Sequence, residues 1–272
     1  MPQDMQASIE KRGTSFAIVP SGSIPYTIEQ PTHSNTALLN DMKTLLVTGT
    51  DTNVGKTWVT CLLLKQLRGE GVRVGAYKPV CSGAEFLESG PVWQDVENLR
   101  QALGGQHDVD QICPQRFRAA VAPNVAARME DSSVDDRMLR TAVEAWRGQC
   151  DYLIVEGAGG LLCPISDKTT VADLAVDLEL QILIVAGNRL GVINHSLLTA
   201  EVARQRGLSI AGVVLNDPPN RSPDDLAADE SNVNQLAHWM PDIPLFTCGS
   251  GAKCLQTFPS NDVLGSATKL FG

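Results

Sequence analysis

The chain has 272 residues, is 43% hydrophobic and carries a formal net charge of −9. That length and apolar content suit one large domain with a substantial core. The acidic balance argues against non-specific binding to nucleic acid or to acidic membranes, so an anionic ligand has to be held locally, by a loop and a few lysines.

Residues 1–41 are rich in Pro, Ser, Thr, Gln and Asn with weak periodicity, and read as a mostly disordered N-terminal extension. Asp4, Glu10, Glu29 and Asp41 against Lys11 and Arg12 give it none of the basic, acid-poor character of an organelle transit peptide. Met42 directly precedes the first convincing strand and is a candidate functional start. Residues 42–272 are expected to form a single α/β domain.

Thr44 to Thr48 is an apolar run that predicts a buried parallel strand, and Trp58 to Leu67 predicts a helix packed on it. Between them lies Gly49-Thr50-Asp51-Thr52-Asn53-Val54-Gly55-Lys56-Thr57. Strand, glycine-containing loop, Lys-Thr and helix is the context of a phosphate-binding loop. Backbone N–H groups of the loop and helix start converge on an anion, the Lys56 ammonium adds a point charge, and the Thr57 hydroxyl suits a magnesium ion. The usual spacing puts a glycine five residues before Gly55, where this chain has Thr50; its glycine stands one place earlier, at position 49.

Val72 to Tyr77 predicts a second strand, ending at Lys78-Pro79-Val80-Cys81-Ser82-Gly83. A right-handed βαβ return brings the end of that strand beside the loop, so Lys78 is expected to face the same site as Lys56. Residues 84–93 read as a loop. Asp95 to Leu103 predicts a short helix, in which Asp95 is either a helix-start charge or a metal ligand. Residues 108–130 are irregular, with a short helix near Val125 to Met129. Val134 to Arg147 predicts one amphipathic helix burying Met138, Leu139, Ala142, Val143 and Trp146.

Asp151 to Val155 is a buried strand that ends in Glu156 and a Gly-rich turn, Gly157-Ala158-Gly159-Gly160. An acid at that place suits Mg²⁺ or its water shell, and the glycines permit close approach to phosphates. Val171 to Leu178 predicts a helix and Gln181 to Ala186 a strand. The loop Gly187 to Ile193 leads into a helix opening at Asn194, an N-cap residue type, and a helix start is an anion site. Leu208 to Leu215 predicts the next strand, ending in Asn216-Asp217; Asn216 is either a base reader or a turn residue before two prolines. A helix near Asp229 to Trp239 and a short apolar piece, Ile243 to Phe246, follow. The tail after Cys248 carries little pattern.

Seven Cys without a Cys-x-x-Cys pair read as reduced thiols, with Cys61, Cys81, Cys113, Cys150 and Cys163 in or beside apolar segments. The four His are scattered and have no zinc spacing. No run approaches the roughly 18 apolar residues of a membrane span, and no signal-peptide core is present, so a cytoplasmic location is expected.

Taken together, Gly49 to Thr57, Tyr77-Lys78-Pro79-Val80-Cys81-Ser82-Gly83, Val155 to Gly160, the stretch Gly191 to Ala200 and Gly212 to Asp217 resemble dethiobiotin synthetase, over about residues 42–246. That family also places its first glycine as this chain does. The resemblance implies a three-layer phosphate-loop NTPase-like fold with a mostly parallel sheet and helices on both faces. It implies an ATP- and Mg²⁺-dependent ligase of biotin synthesis that takes 7,8-diaminononanoate and CO₂ to dethiobiotin, ADP and phosphate, and acts as a homodimer. By the same resemblance, Asn53, Val54, Gly55, Lys56, Thr57 and Trp58 would wrap the ATP phosphates. Thr57, Asp95 and Glu156 would hold Mg²⁺, and Gly157, Ala158 and Gly159 would approach the nucleotide. Lys78 would be catalytic together with Lys56, and Ser82 would contact substrate. Asn216 and Asp217 would lie near adenine. Gly191, Val192, Ile193 and Asn194 would bind the substrate carboxylate from the neighbouring subunit. A partitioning-type switch ATPase of the same fold is the rival reading; such proteins carry a signature lysine where Thr50 stands here. Cobyrinate-type amide ligases need a glutamine-hydrolysing domain for which this chain leaves little room.

Overall fold

The computed structural model describes residues 42–217, 229–260 and 262–271. The expected disordered extension, residues 1–41, lies outside the described residues. The frame is a seven-stranded sheet made of β1 (Lys43–Gly49), β2 (Val74–Tyr77), β7 (Tyr152–Gly160), β8 (Gln181–Gly187), β9 (Ile210–Asn216), β10 (Leu245–Cys248) and β11 (Gln256–Phe258). Its order is β11-β10-β9-β8-β1-β7-β2. Every pairing is parallel except β10 with β11. The strands read as continuous apolar runs because both faces are covered; Leu45, Val47, Leu153, Ile154, Leu183 and Val214 are all fully buried. Helices α1 (Lys56–Gly69), α2 (Gln94–Ala102), α6 (Val171–Asp177), α7 (Val192–Gln205) and α8 (Asp229–Trp239) surround the sheet, so the α/β architecture is the one expected.

Between β2 and β7 the chain builds a wall of small elements: β3 (Cys81–Ser82), β4 (Glu85–Leu87), β5 (Gly90–Val92), α3 (Val109–Ile112), β6 (Arg116–Phe117), α4 (Pro123–Met129) and α5 (Asp136–Thr141). β3 pairs with β6, and β4 with β5 as a hairpin. The expected loop at 84–93 is therefore largely this hairpin. Its strands are three residues long and hold no fully buried residue, so neither alternation nor burial marks them in the sequence.

The helix expected over 134–147 begins two residues late and changes character. Asp135 caps it, Oδ1 accepting from the backbone N–H of Arg137 (2.8 Å) and Met138 (3.0 Å). After Thr141 it tightens into a 3₁₀ turn, Ala142–Trp146. Tightening changes the phase of the apolar stripe. Val143 and Trp146 go fully inside while Met138 stays exposed, contrary to the expected core. Trp146 then lies flat under Gly75 of β2, where any Cβ would come within 2.4 Å of the indole.

The Gly-rich segment after Glu156 continues β7 through a bulge, with Gly159 at φ 64°, and is not a separate turn. β1 keeps pairing with β7 out to Gly49 and Gly160, across a register slip after Val47 and Glu156. Glu156 is thereby a buried mid-strand residue and not a strand-end acid. Helix α7 opens two residues before Asn194. Its N-cap is Gly191, in the left-handed region at φ 90°, and Asn194 is exposed in the first turn. Within the apolar piece Ile243 to Phe246, β10 begins only at Leu245; the first ladder bond uses the carbonyl of Pro244, which accepts from Val213 N–H. The tail folds back onto α1: Gln66 Nε2 donates to Leu264 O (2.9 Å) and Ser266 Oγ to Glu70 Oε2 (2.7 Å).

Candidate active site

An open cleft of about 640 Å³ lies at the carboxyl ends of β1, β2 and β7. Such a crevice is where open α/β sheets bind ligands. Its floor is the loop before α1 and the first turn of that helix: Thr52, Asn53, Gly55, Lys56, Thr57 and Trp58. Lys78, Cys81, Ser82 and Asp95 line one side, and Gly157, Ala158 and Gly159 another. Val54 and Glu156 stand behind this lining, both buried.

The loop turns through two left-handed positions, Asn53 at φ 59° and Gly55 at φ 98°. These wind the backbone so that α1 starts with its free N–H groups at the cleft. Lys56 is buried and curls back, Nζ donating to the loop's own Asp51 carbonyl at 3.0 Å. Burial lowers its pKa, because a neutral carbonyl repays little of the desolvation and Lys78 adds repulsion; Glu156 and Asp95 pull the other way and do not win.

Lys78 is brought to the same cleft, and its ammonium is held differently. It donates to Glu156 Oε1 at 2.5 Å and to Asp95 Oδ2 at 2.7 Å. Burial alone would lower its pKa; the two carboxylates overcome that and hold it well above the ordinary value. Asp95 shows the reciprocal shift: burial raises it, and the Lys78 ammonium prevails and lowers it. Thr57 Oγ1 also donates to Glu156 Oε1, at 2.8 Å. The other oxygen, Oε2, is buried with no hydrogen-bond partner. A buried carboxylate oxygen left unpaired is costly unless a cation completes it. Thr57, Asp95 and Glu156 thus form an all-oxygen donor set with one orphaned lone-pair site, which fits a hard divalent cation such as Mg²⁺. Only two carboxylates converge, and among the described residues no cluster of three or more His, Cys, Asp or Glu is present.

Ser82 lines the cleft and donates to Val121 O at 2.6 Å. The opposite wall, Ala120, Val121, Ala122 and Pro123, was missed by sequence reasoning. Pro123 at the first position of α4 was its one signal. Cys81 and Cys163 also line the cleft, but burial pushes the Cys81 thiol up to about 11 and raises Cys163 as well, so neither is an activated nucleophile. All seven cysteines are free thiols; of the five singled out, Cys163 is only partly buried.

Besides Val54 and Glu156, three expected groups lie outside the cleft lining. Asn216 is buried at the end of β9, its amide Nδ2 donating to Val54 O at 3.0 Å. Asp217 accepts from Asn188 Nδ2 at 2.9 Å. Gly191, Val192, Ile193 and Asn194, the cap and first turn of α7, do not line the cleft of their own chain. No helix among the described residues is long and apolar enough to cross a membrane.

A family model described as an AAA domain matches residues 43–248. The ATP-dependent dethiobiotin synthetase BioD of Anaeromyxobacter dehalogenans is 40% identical over 210 residues, 74% of this chain and 92% of that protein. Its counterpart in Rhodopirellula baltica is 39% identical over 204 residues, 71% of this chain and 78% of that one. A solved structure of the septum site-determining protein MinD with Mg-ADP, from Pyrococcus horikoshii, is a distant likeness at 18% identity and TM-score 0.45, covering 76% of this chain and 80% of that one. The matched span runs from β1 through β10 and so contains the loop, both lysines and both carboxylates; at this identity and coverage, the chain belongs to the ATP-dependent dethiobiotin synthetase family.

Proposed function

We propose that the chain uses ATP to join CO₂ to 7,8-diaminononanoate and close the ureido ring of dethiobiotin. One amine of the substrate takes up CO₂ and loses a proton, giving a carbamate. A carbamate oxygen takes the γ-phosphoryl group of ATP, and ADP leaves. The second amine then attacks the carbamoyl carbon and expels phosphate.

The observation that carries this reading is the placement of two ammonium groups on one cleft, Lys56 from the loop and Lys78 from the end of β2. Carbamate and triphosphate are both anionic, and bringing them in line requires positive charge at the point of transfer. In this reading Lys56 turns from the Asp51 carbonyl to the phosphates, while Lys78 steadies the carbamate. Asn53 to Trp58 wrap the phosphates, and Gly157, Ala158 and Gly159 let backbone approach them, Gly159 at φ 64°. Thr57, Asp95 and Glu156 hold Mg²⁺, which supplies charge neutralisation at the phosphates when bound. Ser82 contacts the diamine, and Asn216 and Asp217 lie toward the base. Gly191, Val192, Ile193 and Asn194 serve the cleft of a second copy, in a homodimer. None of the four lines the cleft of its own chain, and the 81% exposure of Leu190 beside them supports that assignment.

The test is phosphate release with ATP, Mg²⁺, bicarbonate and the diamine. Release is expected only when the diamine is present. Release indifferent to the diamine would favour a switch ATPase instead.

A further inference from the structure

We propose that Asn216 is a positioning residue of the phosphate loop, holding the Val54–Gly55 peptide so that its N–H faces the anion. This rests on the reading of residues 49–57 as a phosphate loop. The contact joins residues 162 positions apart: Asn216 Nδ2 donates to Val54 O at 3.0 Å. A trans peptide is planar, so its C=O and N–H point in opposite directions. Fixing the Val54 carbonyl toward β9 therefore aims the Gly55 N–H away from β9. Gly55 itself lines the cleft.

A second observation is steric. The Asn216 amide lies flush against Gly55, where an added Cβ would come within 2.1 Å of Nδ2. Glycine at position 55 is thus required twice, by its left-handed φ and by this amide. Asn53 pays a conformational cost in its own left-handed position, and such a backbone persists only where surrounding contacts over-determine it. Asn216 supplies one of those contacts, and the loop's first residue supplies another, Thr50 N–H donating to Val185 O at 2.9 Å.

Asn216 is itself held rigidly. Its carbonyl accepts from Asn188 N–H at 2.7 Å, and the next residue, Asp217, donates its N–H to Cys248 O at 2.9 Å. The Asn188 side chain accepts from Asn232 Nδ2 of α8 at 2.8 Å and donates to Asp217 at 2.9 Å. Asn188, Asn216 and Asn232 are all buried. A buried chain of hydrogen-bonded amides of this kind restrains its members to one geometry, and here it runs from α8 across two strand ends to the loop. Asn216 Nδ2 is thus committed to the loop, while its Oδ1, buried and without a hydrogen-bond partner, takes no part in that hold.

The experiment separates holding the loop from reading a base. Calorimetric titration of the whole chain with Mg-ATP and with Mg-tripolyphosphate, which has no base, is run on the unaltered protein, Asn216→Leu and Asn216→Ala, each checked by thermal unfolding. Loss of one positioned donor is expected to weaken both ligands by the same factor, roughly tenfold. A folded variant that keeps its affinity for tripolyphosphate overturns the proposal, whatever happens to ATP. An unaltered chain that binds no tripolyphosphate overturns the phosphate-loop reading as well. If neither variant folds, the unaltered chain decides by exchange of the Asn216 side-chain amide protons: protection supports the proposal and rapid exchange overturns it.

Discussion

Lys56 and Lys78 share one cleft and are buried to a similar extent, yet they are held in opposite ways. Lys56 meets a neutral carbonyl and is lowered in pKa; Lys78 meets two carboxylates and is raised. The first is a cation short of a close counter-ion, which in the proposed function an incoming triphosphate would supply. The second already has its counter-ions, and these are the carboxylates that suit the metal. In the proposed reaction Lys78 would serve a carbamate only after exchanging partners, and Glu156 and Asp95 would then be the residues to hold a divalent cation. The same charge on the same side chain thus does two jobs, set by what each is tied to before the substrates arrive.

The largest expected effect comes from Lys78. Lys78→Ala should lower kcat by about 10³-fold, the scale of losing one preorganised charge stabiliser at a reacting group, while ATP still binds. Full activity in that variant would remove Lys78 from the mechanism. Because Lys78 and Glu156 are both almost fully buried, the single change also strands a carboxylate and should cost about 3 kcal/mol of stability. Lys78→Met combined with Glu156→Gln removes both charges. It should recover most of the melting temperature and none of the activity, which separates the fold's need for the pair from the reaction's.

Glu156→Gln alone tests the other half of the contrast. It leaves Lys78 with Asp95 and takes a charged oxygen from the proposed metal set. The Mg²⁺ concentration giving half-maximal turnover should rise by at least about tenfold, since even residues that merely support metal ligands cost that much. An unchanged magnesium titration would count against the metal role.

Lys56 makes a prediction in pH. Its pKa in the folded chain lies below the ordinary 10.5, so between the two values the folded state binds fewer protons than the unfolded one. Its contribution to stability therefore rises with pH across that window. Triphosphate binding runs the other way, because the anion needs the ammonium. KM for ATP should climb as pH passes the lowered value, before an unperturbed lysine would titrate, and the climb should vanish in Lys56→Arg. A KM flat up to pH 10 would mean that Lys56 does not meet the phosphates.

How far this contrast was legible in the sequence depends on how local each part is. The loop with Lys56 and Thr57 is nine contiguous residues between a strand and a helix, and its pattern carries its own context. Lys78 and Glu156 were legible one step removed, as residues near the ends of apolar runs that parallel topology must bring together. Glu156 was still misread as a strand-end acid, because the pairing of Gly49 with Gly160 that buries it is a register, invisible in either segment alone. The wall from Ala120 to Pro123 and the hairpin at 85–92 had no period to read. Asn216 gave two equal readings as a letter before a turn; its hydrogen bond to Val54 depends on where two distant strand ends stop. The tail's packing on α1 is of the same kind.

The smallest expected effect lies at the rim, where an ion pair touches the loop. Arg189 Nη2 meets Asp51 Oδ2 at 3.0 Å, with both side chains about half exposed. This pair ties the segment after β8 to the same residue whose carbonyl receives Lys56. Exposed pairs lose most of their attraction to water and to side-chain entropy, and contribute at most about 1 kcal/mol. Arg189→Ala should therefore shift the melting temperature by no more than a degree or two and leave kcat unchanged. KM for ATP should move by less than about twofold, and less again in 0.5 M salt, where surface charges are screened within about 4 Å. A larger, salt-insensitive loss would mean that Arg189 touches the nucleotide itself, and the cleft would then hold three working cations and not two.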